Sequence, residues 1–327
     1  MTLALVAVSA CQVAPPETRE DINSLTTAIL AHVRQSLQPA AASSVDAEHS
    51  RVLSFASVMM TGSVDPPDPA KLKATAIAGI DSANGPSATA DSLVRAAIAA
   101  VSASVGGYGT SMKCEPCVSR TPHSPAPPTT VQSGTIRVLT LPNLNMKEAL
   151  DRKPCSALAH YFDFPTQGVT GVILDLRGNQ GGYLPTAVCV AGEFVKPNTP
   201  LFRVTTRSGE ETFRAPTDAR RTPIALPLVV FMDKDTESGG LLLAASLKDV
   251  GRADLVGESK EHANDKVLAL VPTRTGQDQF LVAVGHMKRL GGPLLSEGVQ
   301  VDVPASPKNE ESMLEAARTR LGEHSSP

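Results

Sequence analysis

Twice in this chain a short, mainly apolar run breaks into a polar, glycine-bearing turn and then resumes as an apolar helix. Residues 172–176 (VILDL) lead through RGNQGGY into LPTAVCVAGEF, and residues 228–232 (LVVFM) lead through DKDTESGG into LLLAASL, which runs out at Asp249-Val250-Gly251. An unbroken apolar run of that length predicts a strand buried on both faces, and the closing glycine predicts a helix stop. A strand, a tight turn and a buried helix lift the turn residue into the open end of a sheet and aim the helix N–H groups at it. In the second unit that residue is Ser238. Serine is among the best helix caps. In this position it is also a candidate nucleophile for acyl transfer, because free amides such as that of Gly239 would hold the anionic oxygen of a tetrahedral intermediate.

Composition narrows the field around these two stretches. A length of 327 residues with 42% hydrophobic content allows one or two domains with a proper core. The net charge is −3, aromatics make up 3% and tryptophan is absent, which argues against a nucleic-acid partner, an anionic-membrane surface and base-stacking platforms.

The chain opens with MTLALVAVSAC, an apolar run too short to span a bilayer, and it reads as a signal-peptide core. Val8-Ser9-Ala10-Cys11 resembles a bacterial lipobox, so Cys11 is expected to carry a lipid anchor rather than a span. Gln12 in place of aspartate leads to the expectation of a periplasmic lipoprotein of the outer membrane. Four cysteines then remain, Cys114, Cys117, Cys155 and Cys189, with three possible disulfide pairings. Cys114 and Cys117 have thioredoxin-like spacing, but they sit in a proline-rich connector, which favours a structural role over redox chemistry or a metal site.

Residues 21–37, 70–80 and 88–105 carry apolar side chains at helical spacing, with Pro66 to Pro69 as a break and Gly106-Gly107 as a stop. Further on, the pattern predicts a strand from Thr135, a helix over 147–162, the two central units, a strand over 279–284 and a closing helix over 312–321. The expected organisation is a signal peptide over 1–11, a helical domain over 17–110, a proline-rich linker over 111–133, a catalytic domain over 134–306 and a C-terminal helix and tail over 307–327. Alternating strands and helices imply an α/β core.

Taken together, ILDLRGNQGG, PLVVFMDKDTESGG and GRADLVGE resemble the S41 family of serine peptidases, which comprises the C-terminal processing (tail-specific) proteases and their tricorn-core relatives. The resemblance runs over about half the chain, residues 134–304. It implies a ClpP/crotonase-like core of ββα units and a serine peptidase that needs no cofactor and acts on a polypeptide or peptide tail. The register set by Gly251-Arg252-Ala253 carries the family nucleophile onto Ser238. The oxyanion donors fall on Gly239 and on Gly181 or Gly182, while Asp175 and Arg177 are expected to pair and hold their turn. The family lysine that acts as base falls on Ala263, or on Asn264 when counted back from Pro272. Lys260, His262 and Lys266 surround that gap as candidate bases, His286 is a further one, and Glu297 is a candidate orienting carboxylate. The histidine-bearing turn of tricorn-like members is replaced by GGYGTSM, and the linker is too short for the PDZ domain many members carry. Three functions are therefore in view: an envelope serine endopeptidase, a peptide-binding or scaffold lipoprotein that has lost its base, and a thiol-disulfide protein working through Cys114 and Cys117.

Overall fold

A computed structural model describes residues 16–63, 65, 67–104, 111–113, 127–146, 155–218, 222–272 and 278–323. Cys11, Cys114, Cys117 and the GGYGT stretch lie outside them. The chain divides into two compact units, Met1–Ser119 with Val267–Gly285, and Arg120–Lys266 with His286–Pro327.

The first unit is built on helices α1 (Pro16–Ser36), α2 (His49–Ser57), α3 (Pro69–Ala83) and α4 (Ala90–Ser104). Asp68 starts α3 by accepting the Lys71 N–H at 2.7 Å, with Pro69 in the first turn where its missing N–H costs nothing. Leu25, Ile29 and Val33 of α1 and Leu93, Ala97 and Val101 of α4 fall on helical stripes that meet in one core with Phe55 and Met59. Val282 and Val284 complete that core. They belong to strand β10 (Asp278–Arg289), longer than the 279–284 expected, which pairs with β9 (Lys266–Pro272) and whose first part pairs antiparallel with β1 (Ser111–Lys113). Residues 267–285, read from sequence as part of the catalytic domain, thus cluster with the helices.

The second unit carries a six-stranded sheet in the order β11-β8-β7-β4-β3-β2. Its strands are β2 (Thr129–Ser133), β3 (Ile136–Thr140), β4 (Gly171–Asp175), β7 (Leu228–Met232), β8 (Asp254–Gly257) and β11 (Val303–Pro304). All neighbours run parallel except the β2 edge. Every residue of β4 and β7 is buried, because helices cover both faces of the parallel sheet. On one face Met313, Ala317 and Leu321 of α7 (Glu310–Glu323) pack on Ile173, Val229, Phe231 and Val256. Elsewhere on β7 and β8 lies α6 (Ser238–Asp249), which also packs on α5 (Leu184–Gly192). Strands β5 (Pro200–Thr206) and β6 (Gly209–Arg214) form an antiparallel hairpin.

Within the stretch expected to be a helix over 147–162, the described part is a 3-10 segment, Cys155–Tyr161. A disulfide ties it to α5 through Cys155 and Cys189, two of the four cysteines whose partners sequence left open. Among the described residues no helix is long and apolar enough to cross a membrane.

Candidate active site

The turn after β4 is locked by its own side chains. Asp175 accepts from the Arg177 backbone N–H at 3.0 Å, from Nε at 2.9 Å and from Nη2 at 2.6 Å, and Arg177 Nη1 reaches Glu310 at 2.8 Å. Its guanidinium lies 5.2 Å over the Phe231 ring. These partners raise the Arg177 pKa above the usual guanidinium range, the Asp175 hydrogen bond most of all, so the pair is structural, as its sequence implied. Asn179, fully buried, donates from Nδ2 to Leu141 O at 2.7 Å and accepts the Gly181 N–H at 2.8 Å. Leu144 then pairs alongside, its N–H donating to Gly181 O and its carbonyl accepting from Tyr183.

The turn after β7 is built in the same manner. Asp233 Oδ1 accepts the N–H groups of Asp235, Thr236 and Gly178, so one carboxylate folds its own turn and holds the neighbouring one. The buried Thr236 hydroxyl lies 2.9 Å from Leu176 O, and the Glu237 N–H donates to Asn179 O at 2.8 Å. Between these anchors Ser238 has φ 51°, a left-handed conformation that costs a side-chain-bearing residue about 1–2 kcal/mol and persists only when its surroundings impose it. The cap position of α6 is Glu237 and not Ser238. Ser238 is half-exposed, and its hydroxyl makes no hydrogen bond among the described residues, so it does not serve as a cap.

The two glycine turns lie side by side. A β-carbon on Gly239 would sit 3.5 Å from Gly182 O and 3.6 Å from Gly182 N. The Gly181 N–H is spent on Asn179, whereas among the described residues the N–H groups of Gly182 and Gly239 donate to nothing. Of the two glycines left open by sequence, Gly182 is therefore the one with a free donor. A cleft of about 410 Å³ opens beside it, lined by Pro142, Asn143, Asn145, Gln180 and the glycines of the turn.

The candidate bases fall into two places. Lys260 Nζ lies 2.5 Å from Glu237 Oε2 and 2.5 Å from Lys234 O, which commits it to an ion pair. His262 is exposed, and no hydrogen bond orients it among the described residues. Lys266 Nζ is 3.2 Å from His286 Nε2, and His286 Nδ1 is 3.1 Å from Asp265 Oδ2, which also accepts from Ser296 Oγ at 3.1 Å. Glu297 closes its own turn by accepting the Leu294 N–H at 2.9 Å; the carboxylate that meets His286 is Asp265. Sequence reasoning passed over Glu237 and Asp265. Asp265 is 21 positions from its histidine, and no spacing rule marks such a pair.

The strained serine stands at the carboxyl end of a parallel sheet, in the turn packed against the glycine turn that carries the free Gly182 amide, an arrangement of the α/β class. The family model for Peptidase family S41 matches residues 138–304, and the chain belongs to that family. It is 27% identical over 167 residues to the C-terminal processing peptidase, chloroplastic, of Tetradesmus obliquus, a match covering 51% of this chain and 35% of that protein. It is 32% identical over 132 residues to the carboxy-terminal processing protease CtpB of Bacillus subtilis, covering 40% and 27% respectively. The chain thus spans about a third of the length of the curated relatives it matches. Among solved structures, a lipoprotein from Streptococcus agalactiae matches with a TM-score of 0.60 at 15% identity over 84% of this chain and 95% of that one, a likeness of fold.

Proposed function

We propose that this chain is a serine-type peptidase that hydrolyses peptide bonds in unstructured polypeptide tails through an acyl-enzyme on Ser238. One observation carries the reading: Ser238 is held at φ 51° with its hydroxyl unbonded among the described residues, beside the unspent amides of Gly182 and Gly239. Attack by Oγ on a peptide carbonyl places negative charge on the carbonyl oxygen, and preorganised amides stabilise that charge, each worth about 10²–10³ in rate. The names of the relatives, processing proteases, support tail-like substrates. The proposed location is the cell envelope, with an anchor at Cys11.

A second reading, a peptide-binding protein without turnover, is favoured by one fact: Ala263 stands where the family lysine is expected. A fluorophosphonate serine probe separates the two. Covalent labelling of the wild type that vanishes in Ser238→Ala is the expected result. A wild type that resists the probe at every pH between 5 and 10 would overturn the peptidase reading and leave the binding one.

A further inference from the structure

We infer that the cleft beside Gly182 is a specificity subsite for a neutral, hydrogen-bonding side chain, a carboxamide or a hydroxyl, next to the scissile bond; the inference rests on reading Ser238 as the nucleophile. The cleft and the nucleophile share a wall. Gly181 lines the cleft, and a β-carbon on it would lie 2.9 Å from the Cβ of Ser238. Gly182 lines it too, and a β-carbon there would meet Asn145 Oδ1 at 2.8 Å. The Asn145 amide thus stands against the glycine whose N–H is unspent. A peptide whose carbonyl sits at that N–H has a flanking side chain within reach of the cleft.

The lining decides which side chains fit. Its described side chains are those of Pro142, Asn143, Asn145 and Gln180, three carboxamides and a proline with no charge among them. Asn143 and Asn145 are half-buried. Asn143 Oδ1 accepts the Asn145 N–H at 2.9 Å, and its Nδ2 has no partner among the described residues. The side-chain amides of Asn145 and Gln180 likewise make no hydrogen bond there. The unspent set therefore offers donors and acceptors together, and a carboxamide or hydroxyl matches both kinds. An aliphatic side chain would cover them with nothing to bond, and each polar group left unpaired costs binding. A carboxylate only accepts and an ammonium only donates, and the described lining holds a counter-ion for neither.

The walls are held in place before any substrate arrives. Asp233 Oδ1 accepts the Gly178 N–H at 3.0 Å on one side, and on the other Leu144 is bonded to Gly181 and Tyr183. Between them the buried Asn179 is anchored to Leu141 O at 2.7 Å. A preorganised cleft loses little entropy when it fills, so its hydrogen bonds count toward discrimination between substrates.

The test digests a peptide library made from denatured cell extract and reads the residues flanking each cut by mass spectrometry, with melting temperatures measured alongside. In the wild type, Asn, Gln, Ser and Thr should be enriched about tenfold over Leu, Met and Val at one position beside the cut. Asn145→Leu combined with Gln180→Leu should move that enrichment to Leu and Met, and Gln180→Glu should admit Lys and Arg. Gln180 is exposed, so the Gln180→Glu arm stands even where the double variant unfolds. Enrichment of aliphatic residues, of either charge, or of no class in the wild type would overturn the subsite and leave the nucleophile standing. So would a neutral-polar preference that persists unaltered in Gln180→Glu. A wild type that cuts no more peptides than Ser238→Ala would remove the nucleophile, and this inference with it.

Discussion

A β-carbon placed on Gly181 would lie 2.9 Å from the Cβ of Ser238 and 2.8 Å from the Gly239 amide nitrogen. The absence of a side chain in one turn is thus what lets the serine of the other turn sit where it does. Gly181 itself has φ 94°, a conformation that an L side chain resists.

Gly181→Ala should therefore damage the site more than the fold. Backbone strain of about 1–2 kcal/mol is expected, with the new methyl group displacing the Gly239 amide. Loss of one proposed oxyanion donor predicts that fluorophosphonate labelling of Ser238 slows by about 10²-fold. A time course of labelling beside a thermal melt checks this, and an unchanged labelling rate would contradict the geometry.

The disulfide between Cys155 and Cys189 closes a loop of 34 positions and joins the 3-10 segment to the helix that follows the glycine turn. Both residues are buried. In the chain-entropy account such a loop is worth about 4 kcal/mol, and measured losses on removing native bridges run to about 2–5 kcal/mol. Cys155→Ser combined with Cys189→Ser should lower the urea midpoint accordingly. Reductant should shift the wild type toward the double variant and leave the double variant unmoved.

In the helical unit the Arg95 guanidinium, and after it that of Arg51, holds the Asp91 carboxyl down at about 2. A depressed carboxylate stabilises the fold above its unfolded pKa of about 3.9, and that contribution is lost as pH falls through about 2. The Asp91 side chain is 45% exposed, so solvent screening keeps the contribution below about 1 kcal/mol. Asp91→Asn should be less stable than wild type by that small margin at pH 6, with the gap closing below about pH 2. Denaturant titrations at the two pH values read it directly.

Much of the site was legible because it is local. Asp175 and Arg177 are two positions apart and pair, and a turn of five residues between a buried strand and an apolar helix places Ser238 at the helix start. The helices of the first unit followed from spacing and from punctuation by proline and glycine. Of the helix expected over 147–162, the described part is a single 3-10 segment held by a disulfide.

Other features depended on which strands and turns come to lie together. The choice of Gly182 over Gly181 as free donor turns on Asn179, which takes the Gly181 N–H two positions on while its Nδ2 is anchored to the carbonyl of Leu141, 38 positions away. The pairing of Asp265 with His286, and the local use of Glu297, depend on the register between residues 265 and 287. By itself the sequence determined the strand–turn–helix units, the serine and the family, because turn chemistry and hydrophobic period act between near neighbours. Only the tertiary structure decided which amide is unspent, which cysteines join and which carboxylate meets the histidine. Contacts between distant residues are set by packing and sheet register, and one sequence read along its length does not carry those.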